Sequence, residues 1–150
     1  MENTIEIQKY LPHRAPMLMV DLIVSMDREK VKTIFTIDED NIFVENGKFS
    51  EAGLIENAAQ TCSAILGSSY FVDEDGEDIS DGVQVLGFIS AIKSVKIYAL
   101  PKVGEEITTV AVLKSSFDMG SYATCTMECS IYSDNVLLLE GEINLFIQER

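Results

Sequence analysis

The chain has 150 residues, 47% of them hydrophobic, which excludes a disordered polypeptide and suits one domain with a real core rather than two. Acidic residues number 25 against 11 basic ones, a net charge of −14, and the few cations are too dispersed for a nucleic-acid or anionic-membrane surface. No apolar run reaches membrane-spanning length and the charged first residues lack a signal-peptide apolar region, so the expectation is a soluble cytoplasmic protein.

Residues 4–11 (TIEIQKYL) have the pattern of a short helix or irregular cover, ended by Pro12. LPHRAP is then a turn, stiffened by two prolines around His13. Residues 17–26 (MLMVDLIVSM) form a near-continuous apolar run, which predicts a strand buried on both faces or curled under a helix. Residues 30–37 alternate polar and apolar as a half-exposed strand does, and DEDN at 38–41 is a solvated turn.

The stretch 47–70 (GKFSEAGLIENAAQTCSAILGSSY) organises the chain. It predicts one long helix, capped by Ser50, with Glu51 complementing the dipole in the first turn and an end at Gly67 or Ser68–Ser69. Small and apolar side chains cover most of its circumference, as in a buried helix. Positions 54, 58, 61, 65 and 55, 59, 62, 66 make two apolar stripes. The remaining stripe is Gly53, Glu56, Gln60, Ser63 and Gly67. A solvated face of that length carries more charge, so this stripe reads as the lining of a crevice. A carboxylate in such surroundings is either bonded to donors of its own fold or used in chemistry.

Residues 73–82 (DEDGEDISDG) form an acidic loop. Long strands follow at 83–100, 105–116, 121–132 and 136–147, joined by turns at 102–104 and 118–120 and a tight hairpin at 133–135. Cys62, Cys125 and Cys129 lack metal-ligand spacing, so buried free thiols and no metal site are expected. Lys93, Lys96 and Lys102, with Arg14 elsewhere, are either a basic spot for an acidic partner or ordinary solubility residues.

The order is therefore strand, strand, one buried helix, then a meander of long strands. A helix apolar nearly all round needs a sheet curved around it. The expected fold is α+β, a single domain over 1–150 with a curved antiparallel sheet wrapped around one long central helix, the hotdog arrangement. Its open edges need cover, and pairing two sheets edge to edge into a dimer supplies it.

Three segments carry a family resemblance. LPHRAPMLMVD at 11–21 resembles the opening motif of FabZ-type 3-hydroxyacyl-ACP dehydratases, GLIENAAQT at 53–61 resembles their helix motif, and 88–107 resembles a strand, turn and strand of the same family. The resemblance implies a 3-hydroxyacyl thioester substrate carried on the phosphopantetheine of acyl carrier protein or on CoA, with no other cofactor. It implies dehydration to the trans-2-enoyl product, in fatty acid or polyketide biosynthesis, by a homodimer or larger assembly with sites at subunit interfaces. It also carries Glu56 over as the helix carboxylate of the catalytic pair. One departure stands out: the family's loop histidine is replaced by Lys48, and His13 is the one histidine of the chain. With its shortened loop, the sequence is similar to the divergent, ApeP-like branch of aryl-polyene pathways.

The chemistry needs a base for the α-proton, an acid for the departing hydroxyl, and donors at the thioester carbonyl. His13 and Glu56 are the pair suited to the first two roles, since an acid in apolar surroundings keeps its proton nearer neutral pH. The helix N-terminus around Ala52 and Gly53 is the candidate for the third. Gln60, one turn beyond Glu56, is a substrate-binding candidate together with Gly53 and Ala52, and either orients Glu56 or packs the crevice. His13 is alternatively a structural tie of its turn. Lys48 is a substitute base only if desolvated, and Arg14 binds a carrier phosphate or pairs with Asp21. Two other functions compete: an acyl thioesterase, which needs only a carboxylate to activate water, and a non-catalytic partner subunit of a hetero-oligomeric dehydratase.

Overall fold

A computed structural model describes residue 11, residues 14–71 and residues 85–149. In chain order the elements are β1 (Leu22–Met26), β2 (Lys30–Thr36), β3 (Val44–Glu45), β4 (Lys48–Phe49), α1 (Glu51–Phe71), β5 (Val85–Ile97), β6 (Glu106–Asp118), β7 (Tyr122–Ser133) and β8 (Val136–Glu149). Six of the strands form one antiparallel sheet in the order β1-β2-β6-β7-β8-β5, and β3 pairs with β4.

Period-2 alternation explains which way the sheet faces. On β7, Cys125, Met127, Cys129 and Ile131 are buried while Glu128 between them is exposed. Their partners on β8, including Leu145 and Ile143, are buried on the same face. Across this inner face lies α1, in contact with β2, β5, β6, β7 and β8. Burying each such aliphatic side chain contributes about 1.5–3 kcal/mol, so the helix is held by packing rather than by propensity. This is the α+β hotdog fold expected from the element order.

Turn chemistry sets the registers. Asp134 and Asn135 both have positive φ (47° and 64°) in the two-residue connection from β7 to β8. That is the backbone of a type I′ hairpin turn, which matches strand twist. Asn46 and Gly47 (53° and 76°) do the same between β3 and β4, a hairpin that the sequence reading missed because its strands are two residues each.

Two expectations are corrected. Residues 17–26 do not form one doubly buried strand: β1 begins at Leu22 and exposes Leu22 while burying Ile23. Ahead of it, Met17 and Leu18 donate backbone N–H bonds to the Arg14 carbonyl, and side chains of α1 rather than a strand satisfy the backbone of Met19. The helix also does not stop at Gly67 or Ser68–Ser69 but continues to Phe71. A helical glycine costs only about 1 kcal/mol relative to alanine, less than the packing of the preceding turns contributes. The four long strands stand within a few residues of their expected limits. The expected helix at 4–11, apart from Leu11, lies outside the described residues, as do Pro12, His13 and the loop at 73–82.

Candidate functional site

The helix begins on a side-chain cap. Ser50 Oγ accepts the N–H of Gly53 at 3.3 Å, and its own N–H is bonded to the Phe43 carbonyl. Serine at this position satisfies one of the amides that have no intrahelical partner. The N–H groups of Glu51 and Ala52 have no such partner among the described residues. Gly53 is buried because aromatic side chains fill the space beside it: a Cβ there would stand 2.6 Å from the Phe49 ring and 2.8 Å from Phe43 Cβ. Gly53 therefore lets the β3–β4 hairpin dock on the first turn of α1, with its N–H committed to the cap.

Ala52, Glu56 and Gln60 are spaced four apart and so follow one line along the helix. Ala52 is exposed, Glu56 half-buried and Gln60 fully buried. The stripe is thus neither a solvated face nor an open crevice along its whole length, because the 17–19 segment bonds to its deep end. Gln60 Nε2 donates to the Met17 carbonyl at 2.8 Å and to Glu56 Oε1 at 2.9 Å, and Gln60 Oε1 accepts the Met19 N–H at 2.7 Å.

A second amide, which the sequence reading passed over, completes this clasp. Asn57 is fully buried, donates Nδ2–H to the Met19 carbonyl at 2.6 Å, and accepts the Thr109 hydroxyl on its Oδ1. Beside it the buried hydroxyls of Thr33 and Thr61 share a hydrogen bond of 2.8 Å. These groups tie α1 to β2, β6 and the 17–19 segment. Polar residues on an otherwise apolar helix were the available signal, since a buried amide must find partners.

The remaining candidates are placed as follows. Lys48 is exposed on β4 and stands opposite Lys102 in an antiparallel bridge. Lys93 is paired with Glu142 at 3.2 Å, so its charge is compensated on the sheet. Arg14 donates to the Leu11 carbonyl, and Asp21 Oδ2 accepts the N–H of Thr36. All three cysteines are buried and free. A hydrogen bond to Cys129, then burial, pushes the Cys62 thiol well above its ordinary range, so it is an inert core group at neutral pH. Among the described residues no cluster of His, Cys, Asp and Glu has a metal-holding arrangement. No helix of the described chain is long and apolar enough to cross a membrane. The expected partner of Glu56, His13, lies outside the described residues.

The arrangement presents a half-buried carboxyl group with one oxygen held, Glu56 Oε1, and with Oε2 making no hydrogen bond among the described residues. One turn away are two helix N–H groups that can donate to an oxyanion or carbonyl. Such a site can exchange a proton with a substrate bound over the first two turns of α1.

Comparison with known proteins gives these surroundings a context. A family model described as ApeP-like, ApeP dehydratase, matches residues 5–149. No curated relative matches the sequence. Among solved structures, a chain of the dehydratase heterocomplex ApeI:P from Xenorhabdus doucetiae superposes with a TM-score of 0.76 at 19% identity, covering 95% of this chain and 90% of that one. An HP0420 homologue from Helicobacter felis gives 0.68 at 13%, covering 98% and 92%. A hypothetical thioesterase with coenzyme A from Streptococcus pneumoniae gives 0.59 at 14%, covering 85% of each chain. At these identities the structural likenesses show the shared fold.

Proposed function

The chain belongs to the ApeP-like dehydratase family, and from that membership we propose that it eliminates water from a 3-hydroxyacyl thioester to give the trans-2-enoyl thioester. The observation that carries this reading is Glu56 itself: in the second turn of α1, half-buried, bonded through one oxygen and unpartnered at the other among the described residues. In the reaction His13 takes the α-proton and the carboxyl of Glu56 protonates the departing hydroxyl. The C–O bond breaks as the α,β double bond forms, and water leaves. The N–H groups of Glu51 and Ala52, unpartnered among the described residues, donate to the thioester carbonyl as negative charge develops there. The substrate arrives on the phosphopantetheine of an acyl carrier protein or on CoA, in fatty acid or aryl-polyene synthesis in the cytoplasm. The sheet edge at β5 pairs with a second subunit to form a dimer.

A second reading is favoured by Lys48, which is exposed at the position where the resembled enzymes carry a histidine. In it the chain is the partner subunit of a hetero-oligomeric dehydratase, as the heterocomplex from Xenorhabdus doucetiae suggests.

The test is direct. Purified protein is mixed with a 3-hydroxyacyl thioester and enoyl formation followed by absorbance. Glu56→Gln, which preserves shape and the Gln60 bond, should lower kcat about 10²–10⁴-fold with an unchanged melting temperature. Undiminished turnover in E56Q removes the acid, and undiminished turnover in H13A removes the base. Free thiol without enoyl product marks a thioesterase. Activity that needs a second, different subunit supports the partner reading.

A further inference from the structure

A carboxyl group has two oxygens, and an acid that must protonate a leaving group has to present one of them. The hydrogen bonds around Gln60 decide which. The Met19 N–H is a donor 2.7 Å from the Gln60 amide and needs an acceptor, so the amide oxygen Oε1 must face it. The orientation of the side chain is thereby fixed. Its Nε2 then points away from Met19, with one hydrogen on the Met17 carbonyl and the other on Glu56 Oε1. Both N–H donors and the acceptor are used, and the residue is only 1% exposed, so water does not compete for these bonds. An oxygen that accepts an N–H in this way is a poor place for the carboxyl proton, which would clash with the donor hydrogen. Glu56 Oε2 has no such donor among the described residues.

We propose that Gln60 is a positioning residue that assigns Glu56 Oε2 as the oxygen that carries and delivers the proton. It couples that assignment to the backbone of Met17 and Met19. This goes one step beyond the dehydratase reading and rests on it for the identity of the proton's destination. Gln60 itself touches no substrate. Its effect passes through the rotamer and hydrogen-bonded state of Glu56, and this is why the amide cannot be exchanged for a group without an N–H.

Asn57 provides the control, because the fold gives it half of the same work. It holds the Met19 carbonyl and Thr109, hence the same segment, but makes no bond to Glu56. Gln60→Met removes the donor and keeps the volume. Gln60→Glu keeps an acceptor for Met19 and also removes the donor. In whichever of the two folds, kcat should fall about 10- to 100-fold, the cost of a misplaced catalytic group. KM should change less than about threefold, since no substrate contact is lost. Asn57→Ala should instead lower the melting temperature while the kcat of its folded fraction stays within about threefold of wild type. A folded Gln60 variant with wild-type kcat overturns the proposal, and so does an Asn57→Ala loss of kcat as large as that at Gln60. A second readout needs no turnover. In ¹⁵N-labelled protein, Glu56→Ala should shift one of the two Gln60 Nε2–H resonances and leave the other in place. Movement of neither overturns the assignment. If wild-type protein forms no enoyl product from any thioester offered, the dehydratase reading fails while this resonance test still judges the bond.

Discussion

The sheet carries a polar cluster on each side, and the two are built from opposite materials. On the inner side Asn57, Gln60, Thr33, Thr61 and Thr109 are neutral and buried. On the outer side Lys114 bonds Glu142 at 2.6 Å and lies 3.4 Å from Glu128, while Lys93 holds Glu142 at 3.2 Å. Glu128 and Glu142 are directly opposed across β7 and β8, a like-charge pair that Lys114 relieves. The inner bonds are few in number but cannot be replaced by water, so they hold the 17–19 segment against α1, and the one from Gln60 holds Glu56. The outer bonds exchange freely with solvent and are screened by salt. Their work is local, keeping two glutamates compatible on an exposed face. Only the inner cluster touches a candidate reacting group.

Breaking the inner cluster should therefore have the largest effect on stability. Asn57→Ala strands the Met19 carbonyl and the Thr109 hydroxyl in the core, at about 1–3 kcal/mol for each unsatisfied group. Chemical denaturation should show a lowered midpoint that added salt does not restore. A smaller loss is expected from Gly53→Ala, which leaves every hydrogen bond of the clasp in place and presses a methyl group against Phe49 and Phe43. Overpacking of that kind costs about 1–3 kcal/mol. Here the midpoint should fall with little change in the Gln60 side-chain resonances.

The outer cluster gives the smallest effects and a different signature. Lys114 and then Lys93 hydrogen-bond to Glu142 and hold its carboxyl below the ordinary value of 4.5. A group lowered by folding stabilises fully above its unfolded value, and that contribution is lost as pH falls through the folded one. The difference in melting temperature between wild type and Glu142→Gln should be constant at neutral pH and shrink below about pH 4.5. It should also shrink in molar salt. A salt-independent difference would place Glu142 in the same class as the inner amides.

Much of the fold was legible in the chain before any coordinates. Cys125 and Cys129, four apart in an expected strand, read as buried free thiols, and both are buried and free. The long helix with a Ser50 cap was visible because the cap, the dipole-complementing Glu51 and the apolar circumference all agree. Glu56 drew attention as a carboxylate on that helix. Residues 17–20 misled, because an apolar run has no period to say whether strand or side-chain bonds will satisfy its backbone. Asn57 was passed over for a related reason: its partners, Met19 and Thr109, are 38 and 52 residues away in sequence. Nothing local to Asn57 distinguishes a buried amide from an exposed one.

What the sequence determined by itself is the architecture and the presence of one acid in it, since periodicity, caps and turn residues act over a few positions. Which polar atoms meet was decided only by the tertiary structure. Hydrogen bonds between distant residues depend on ångström-scale placement that no local pattern encodes. The sequence shows a glutamate and a glutamine one helical turn apart. The packed chain shows that the Met19 amide turns that glutamine, and that the glutamine occupies one oxygen of the acid and leaves the other available.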